Sequence, residues 1–229
     1  MKNRIIFFLV ALLAIACNKG DDEGASESGD FCDPSTGNYM NVFITKPDKV
    51  KLEFDKYGAN SASEIKMWIP SLKGCSVSYD FDEDLPMYKR YAEFYGDTTY
   101  RSMHIIGEAV ACAAPVSNIT VVCDKDFDDT HSMGTVLNDL FQISYPRYYQ
   151  YIKSGYKPKT RLGSYELDSI AELSSFKDVP LFANETSLIF KSTPTTPGKY
   201  TFTVTFDFGE DPLTGEKVTV PPASIEVEF

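Results

Sequence analysis

The chain has 229 residues, with 22 Lys and Arg against 33 Asp and Glu, so its formal net charge is −11. An acidic surface repels phosphate backbones, and no basic run interleaved with aromatic residues offsets it, so we expect no nucleic-acid partner. The chain is also rich in aromatic residues, with 14 Tyr and 16 Phe but a single Trp. Most of these are explained by β-sheet structure.

The first residues carry the pattern of an export signal. Lys2 and Arg4 precede an unbroken apolar run over 5–15, which is shorter than the ~20 residues of a membrane-spanning helix. Small residues then lead to Cys17. We predict a signal peptide over residues 1–16. Because its removal takes two basic residues, the remaining chain has a formal net charge of −13.

The end of this signal resembles the lipobox of bacterial lipoproteins, which implies a lipid on Cys17. The alternative is an ordinary signal peptide in which Cys17 is incidental. Residues 17–31 are rich in Gly, Ser and acidic residues, a composition typical of a flexible tether. Their acidic cluster, Asp21, Asp22 and Glu23, is similar to the surface-export signal of Bacteroidetes lipoproteins. That resemblance implies a lipid-anchored protein of the outer membrane that faces the cell exterior.

Four cysteines follow the lipidated one: Cys32, Cys75, Cys112 and Cys123. An even number in an oxidising compartment predicts two disulfides. If residues 102–112 and 119–123 form a tight hairpin, Cys123 lies about 13 Å along its strand from the residue opposite Cys112. That separation disfavours a bond between these two cysteines, because a disulfide needs Cα atoms within about 7 Å.

Two pairings then remain if all four cysteines are bonded. The preferred one joins Cys75 to Cys112 and Cys32 to Cys123. The other joins Cys75 to Cys123 and Cys32 to Cys112. Free buried thiols are the alternative to both, since buried cysteines are common in β-sheet cores.

The first half of the domain alternates strand and turn signals. Strands are predicted over 39–54, interrupted by a turn at 46–48, and over 64–69 and 75–81. In the acidic and Tyr-rich segment 82–101, the spacing of Met87, Tyr88, Tyr91 and Tyr95 fits one helical face, although a long loop fits nearly as well. Strands are predicted again over 102–112 and 119–123.

Two short helices are predicted next, near 135–141 and from Ser144 to just before Gly155. Residues 164–176 fit either a helix or a strand. In the C-terminal third, Tyr200, Phe202, Val204, Phe206 and Phe208 alternate with polar residues. The Pro-Gly-x-Tyr sequence before this strand is similar to the penultimate strand of immunoglobulin-like sandwiches. We predict a mainly β fold over 32–229, an immunoglobulin-like β-sandwich with a few short helices in a central insertion.

A second resemblance comes from residues 119–128, Ile-Thr-Val-Val-Cys-Asp-Lys-Asp-Phe-Asp, together with Leu137-Asn-Asp-Leu-Phe141. These segments resemble an uncharacterised Bacteroidetes lipoprotein family known only as a domain of unknown function. The likeness extends over most of the mature chain, and it assigns no catalytic residues because the family has none that map onto this sequence.

One acidic segment has the spacing of calcium ligands, with Asp124, Asp126 and Asp128 at alternate positions. An EF-hand does not fit, because its sixth position is Asp129 in place of glycine and its twelfth is Thr135 in place of glutamate. We therefore interpret the segment as a solvated acidic turn, with calcium as the alternative. No other cofactor is indicated.

The sequence lacks histidine-pair zinc motifs, a Gly-x-Ser-x-Gly elbow and a P-loop, so no catalytic residue is assigned. The leading hypothesis is a non-enzymatic surface lipoprotein that serves as a binding or interaction module. Glycan is the first ligand class to consider, since exposed aromatic rings stack on sugar faces. The candidate ligand-binding residues are Trp68, Tyr88, Tyr91 and Tyr95. The alternatives are a structural or adhesin-like component that contacts other surface proteins, and a glycoside hydrolase with unrecognised acids.

Overall fold

The computed structural model describes residues 37–58, 62–70, 74–76, 85–100, 109–157 and 168–229. The predicted signal peptide, the tether and Cys32 therefore lie outside the described residues. Twelve strands and two α-helices form within these ranges. The strands are β1 (Val42–Ile44), β2 (Lys51–Asp55), β3 (Glu64–Trp68), β4 (Gly74–Ser76), β5 (Val110–Cys112), β6 (Val116–Cys123), β7 (Phe141–Pro146), β8 (Asp168–Glu172), β9 (Glu185–Phe190), β10 (Lys199–Glu210), β11 (Lys217–Thr219) and β12 (Ala223–Glu228). The helices are α1 (Leu85–Tyr95) and α2 (Tyr148–Lys153).

Five strands form an antiparallel sheet in the order β2-β3-β9-β7-β8. Alternation sends one set of side chains into the core, including Ile65 and Met67 of β3. The intervening residues Lys66 and Trp68 lie on the opposite, outer face. This sheet therefore has one covered face and one polar face, as an antiparallel sheet commonly does.

The long strand β10 organises the second sheet. It pairs with β12 and β11 along one edge and with β6 along the other. Its predicted alternation is confirmed, because every second residue from Tyr200 to Phe208 is buried. Phe202 lies in contact with rings of the five-stranded sheet, 5.4 Å from Phe190 and 6.2 Å from Phe141 between centroids. The two sheets thus enclose one core, which confirms the prediction of a mainly β sandwich.

A third, small sheet has the order β4-β1-β5, with β1 and β5 parallel. One face of β1 contributes Val42 and Ile44 to the main core. The other face contributes Phe43 to a second, Tyr-rich core beneath α1, where its ring stacks on Tyr91 and Tyr95. The small sheet therefore joins the two cores.

The predicted hairpin of 102–112 with 119–123 does not form. Strand β5 pairs with β1, whereas β6 pairs with β10 in a different sheet. Residues 113–115 carry the chain from one sheet to the other, and Val116 bridges to Val179 at the start of β6. Residues 101–108 of the predicted first strand lie outside the described residues.

The helix predicted from Ser144 is also corrected, because Ser144 lies within β7 and pairs with Ser187 of β9. Phe141, Ile143 and Tyr145 alternate toward the core, and pairing with β8 and β9 on both sides outweighs the helical spacing of the tyrosines. Helix α2 begins only at Tyr148. The helix predicted near 135–141 is a single 3₁₀ turn, Asn138–Leu140.

The described cysteines give no support to the preferred pair of disulfides. Cys112 and Cys123 are both free, buried thiols, as in the free-thiol alternative. Cys75 pairs with Phe43 in β1, while Cys112 pairs with Ile44 on the other side of the same strand. Two strand spacings, roughly 9–10 Å, separate Cys75 from Cys112, so the preferred bond does not fit. Burial raises the pKa of the Cys112 thiol to about 12.

The outer edge of β6 is covered by an asparagine side chain that sequence reasoning missed. The Val121 N–H donates to Asn138 Oδ1 at 3.0 Å, and Asn138 Nδ2 donates to the Ile119 carbonyl at 2.7 Å. The Leu137 N–H adds a bond to the Val121 carbonyl. Asn138 thus takes the place of a neighbouring strand along this edge.

We expect Asn138→Ala to lower the free energy of unfolding by about 1–3 kcal/mol, because it leaves a strand N–H and a carbonyl without their partner. Urea denaturation of the mature chain measures the loss. Asn118→Ala is the matched control, since its side chain bonds only the neighbouring Thr120 hydroxyl, and it should change stability by less than about 0.5 kcal/mol. Equal effects of the two substitutions would contradict the edge-capping role.

Candidate functional site

A groove of about 700 Å³ lies at one end of the outer face of the five-stranded sheet. The ladder between β7 and β9 stops at Ser144 and Ser187. Beyond this point β7 continues only beside β8, and β9 only beside β3. Asn184, just before β9, bonds instead to Ile69 and Val110 through its backbone. Strands β7 and β9 therefore separate, and the groove lies between them.

Trp68 contributes the indole ring on one side of the groove. It is the last residue of β3, and alternation with the buried Met67 places it on the outer face, half-buried. Its neighbours across the sheet are Lys51 of β2 and Glu185 of β9. The Lys51 ammonium lies 5.7 Å from the ring centroid, which is a cation–π contact. The prediction that Trp68 binds a ligand remains a prediction, and its position in a groove supports it.

Tyr148 and two carboxylates also line the groove. Tyr148 is the first residue of α2, Asp168 is the first residue of β8, and Glu185 is the first residue of β9. Burial, together with the negative charges of Asp168 and Glu185, raises the pKa of the Tyr148 hydroxyl well above its usual range. The hydroxyl is consequently protonated at neutral pH and can both donate and accept a hydrogen bond.

The groove combines these groups in a way that suits a polyhydroxylated ligand. Three aromatic residues, Trp68, Tyr145 and Tyr148, line the groove, and carboxylate, hydroxyl and amide groups supply acceptors and donors around them. A volume of about 700 Å³ lies within the range of small-ligand sites, ~300–1,000 Å³. The arrangement therefore fits binding of a short carbohydrate segment.

The three predicted tyrosines do not share this groove. Tyr88, Tyr91 and Tyr95 lie on one face of α1, as predicted, but that face packs into the Tyr-rich core and leaves each ring at most 3% exposed. Their hydroxyls donate internally, to the Met40 carbonyl, to Asp211 and to the Ala113 carbonyl. They are core residues and cannot stack on a ligand. A stripe at helical spacing has the same sequence pattern whether it meets a core or a ligand.

Asp124, Asp126 and Asp128 accept hydrogen bonds from three different parts of the backbone. Their partners are the N–H groups of Thr201, Met133 and Thr130, respectively. Within the described ranges, no group of three or more His, Cys, Asp or Glu side chains has the arrangement of a metal site. The contacts of the three aspartates are those of a hydrogen-bonded acidic turn.

His131 lies at the end of this turn, between the carboxylates of Asp128 and Asp139. Its Nδ1 lies 2.8 Å from Asp128 Oδ1, and its Nε2 lies 3.1 Å from Asp139 Oδ2. These contacts favour the imidazolium form and raise the pKa of His131 above its usual value. Hydrogen bonds from Thr130 and His131 hold the pKa of Asp128 well below its usual range.

The raised pKa of His131 makes stability depend on pH. The contribution of the imidazolium is fully present below about pH 6.5, the usual histidine pKa, and is lost as pH rises through the higher folded-state pKa. We expect the unfolding midpoint to fall between about pH 6 and 8.5 in the native chain, and to fall less in His131→Gln. Thermal melts across this range measure it, with His104→Gln as the control. Parallel pH profiles for the native and His131→Gln proteins would refute the assignment.

A second cavity, of about 500 Å³, lies beside Tyr91 and Asp211. Its central carboxylate is already bonded, because Asp211 accepts the Tyr91 hydroxyl at 2.5 Å and the N–H groups of Leu213 and Thr214. These contacts hold the turn after β10. The groove beside Trp68 is therefore the better candidate for a ligand.

Comparison with protein-family models, curated proteins and solved structures finds no match to this chain. Among the described residues, no helix is long and apolar enough to cross a membrane.

Proposed function

We propose that this protein is a cell-surface lipoprotein whose β-sandwich binds polysaccharide without catalysing a reaction. The observation that carries the proposal is the groove on the outer sheet face, where Trp68 and Tyr148 lie among polar groups. Aromatic rings flanked by hydrogen-bonding side chains suit sugars, whose faces are apolar and whose edges carry hydroxyls.

The binding test uses the mature chain carrying Cys17→Ala, which lacks the lipid. The probes are plant and microbial polysaccharides in affinity gels, followed by isothermal titration with any polysaccharide that slows migration. Retention by at least one polysaccharide supports the proposal. Absence of retention, together with recovery of one fixed partner from outer-membrane extract, would favour the adhesin-like alternative instead.

A hydrolase is the second candidate, because Asp168 and Glu185 both lie near Tyr148 in the same groove. Glycoside hydrolysis uses two carboxyl groups that flank the scissile bond. Release of chromophore from aryl glycosides or of reducing ends from a bound polysaccharide would favour this reading. Loss of that release in Asp168→Asn and in Glu185→Gln would assign it to the groove.

The anchor is proposed from Cys17 and the acidic tether. We expect Cys17→Ala to move the protein from the detergent-dependent membrane fraction to the soluble fraction, because it removes the lipidated residue. Cys32→Ala is the matched control and should stay with the membrane. Protease added to whole cells should remove the native domain, and neutralising Asp21, Asp22 and Glu23 together should protect it. Continued membrane association of Cys17→Ala would defeat the lipoprotein assignment.

A further inference from the structure

We infer that the groove selects uncharged carbohydrate and rejects acidic carbohydrate, an inference that rests on the proposed polysaccharide binding. The three acidic side chains that line the groove are Glu53, Asp168 and Glu185. They come from β2, β8 and β9, so the negative charge is contributed from both edge strands and from an inner strand of the sheet.

Two of these carboxylates have no cationic partner among the residues that the structure describes. Of the ion pairs formed within those ranges, none involves Asp168 or Glu185. Both nevertheless lie close enough to Tyr148 to raise the pKa of its hydroxyl. Their field therefore acts at the place where a ligand would contact that hydroxyl.

The cations near the groove do not cancel this field. Lys66 lines the groove, but its ammonium lies 2.7 Å from Asp55 and 3.8 Å from Glu64, so its charge is already shared. Lys51 lies over the Trp68 ring, 5.7 Å from its centroid. Arg147 precedes α2 and is near enough to Tyr145, which also lines the groove, to oppose the rise that burial causes in the pKa of that hydroxyl. Five carboxylates, those of Glu53, Asp55, Glu64, Asp168 and Glu185, nevertheless outnumber the three cations Lys51, Lys66 and Arg147, so the groove and its surroundings retain a net negative charge.

Uncharged sugars match this surface. Their hydroxyls can donate to the carboxylates and exchange hydrogen bonds with Ser144, Ser187 and Asn184, all of which line the groove. A uronate or a sulfate ester would instead bring an anion beside Asp168 and Glu185 as water is excluded. Like charges brought together in a binding site weaken association strongly.

The experiment compares each polysaccharide with its own charged derivative. The probes are laminarin, galactomannan, xyloglucan and dextran, each beside its carboxymethylated form, with the mature chain carrying Cys17→Ala. We expect the carboxymethylated form of any bound probe to bind at least about tenfold more weakly near 10 mM salt. The ratio of the affinity for the neutral form to the affinity for the carboxymethylated form should shrink near 1 M salt. The Debye length falls from about 30 Å near 10 mM salt to about 3 Å near 1 M salt.

Two double variants with the same change in net charge locate the effect. Asp168→Asn with Glu185→Gln should bring the ratio of the two affinities close to one. Asp207→Asn with Glu210→Gln alters exposed residues of β10, outside the groove lining, and should leave the ratio unchanged. If both double variants change the ratio equally, the net charge of the protein and not the groove is responsible, and the inference is overturned.

The remaining outcomes separate this inference from the proposed function. Binding of the carboxymethylated form as tightly as, or more tightly than, the neutral form overturns the selectivity and leaves polysaccharide binding intact. A ratio that persists unchanged near 1 M salt also overturns it, because the preference would then not be electrostatic. Absence of binding by every probe and every derivative overturns both proposals.

Discussion

Replacing Trp68 with alanine is expected to weaken polysaccharide binding by roughly thirtyfold, about 2 kcal/mol, the usual effect of truncating an aromatic residue at the centre of a binding site. The indole lines the groove from the outer face of β3, and its neighbours Glu185 and Lys51 cannot replace a stacking face. Isothermal titration with a retained polysaccharide measures the loss. Trp68→Phe keeps a smaller ring and should retain part of the affinity.

Tyr57→Ala is the matched control for this prediction. Tyr57 follows β2 and is 80% exposed, but it does not line the groove. Its removal tests whether any surface aromatic residue contributes to binding. Unchanged affinity in Trp68→Ala, or an equal loss in Tyr57→Ala, would show that the groove is not the binding site. Unfolding midpoints of both variants exclude loss of binding through unfolding.

Replacing Asp97 with alanine is expected to lower the free energy of unfolding by about 3–5 kcal/mol, because several buried donors lose their acceptor together. Asp97 is fully buried. Its Oδ1 accepts the Tyr39 N–H at 2.7 Å and the Tyr156 hydroxyl at 2.8 Å, and its Oδ2 accepts the Met40 N–H at 2.8 Å. The Asp97 carboxylate thus joins its own segment after α1 to the segment of Tyr39 and Met40 and to Tyr156. Burial raises the pKa of this carboxyl group.

The position of Asp97 depends on how α1 ends. Gly96 adopts a positive φ of 76°, its N–H bonds to the Glu93 carbonyl, and the Asp97 N–H bonds to the Ala92 carbonyl. These are the two bonds of a Schellman C-cap, which turns the chain sharply after the helix. The cap therefore directs Asp97 into the core.

Asparagine at position 97 provides a sharper comparison than alanine. Asp97→Asn keeps the size of the side chain but supplies one acceptor oxygen, so its amino group meets an N–H donor. We expect it to be less stable than the native chain and more stable than Asp97→Ala. Asp207→Ala, on the exposed face of β10, should change stability by less than about 0.5 kcal/mol in urea denaturation. If Asp97→Ala lowers the free energy of unfolding by as little as Asp207→Ala does, the role of Asp97 is disproved.

Several features of the fold followed from local pattern alone. Strict alternation from Tyr200 to Phe208 predicted a strand with one buried face, because side chains in a strand alternate with a period of two residues. The same reasoning placed Ile65 and Met67 on the face opposite Trp68. The helical spacing of Tyr88, Tyr91 and Tyr95 predicted α1. Each of these features depends only on residues near one another in sequence.

Features that depend on which strands meet were not predictable in the same way. The partner of β5 is β1, more than sixty residues earlier, so the local hairpin that the sequence suggested does not form. The pairing of β7 with β8 and β9 likewise replaced the start of the helix predicted from Ser144, so that α2 begins only at Tyr148. Because the positions of Cys75 and Cys112 follow from strand order, the expected disulfide could not be judged from spacing.

The amino-acid sequence by itself determined the mainly β class and the buried face of each well-patterned strand. Tertiary structure decided which aromatic residues are exposed, since α1 turns its three tyrosines into a core that residues near position 40 help to build. It also decided that Trp68, Tyr148, Asp168 and Glu185 meet, because β7 and β9 separate beyond Ser144 and Ser187. Residues so far apart in sequence come together only through sheet pairing, and strand order is a property of the whole chain.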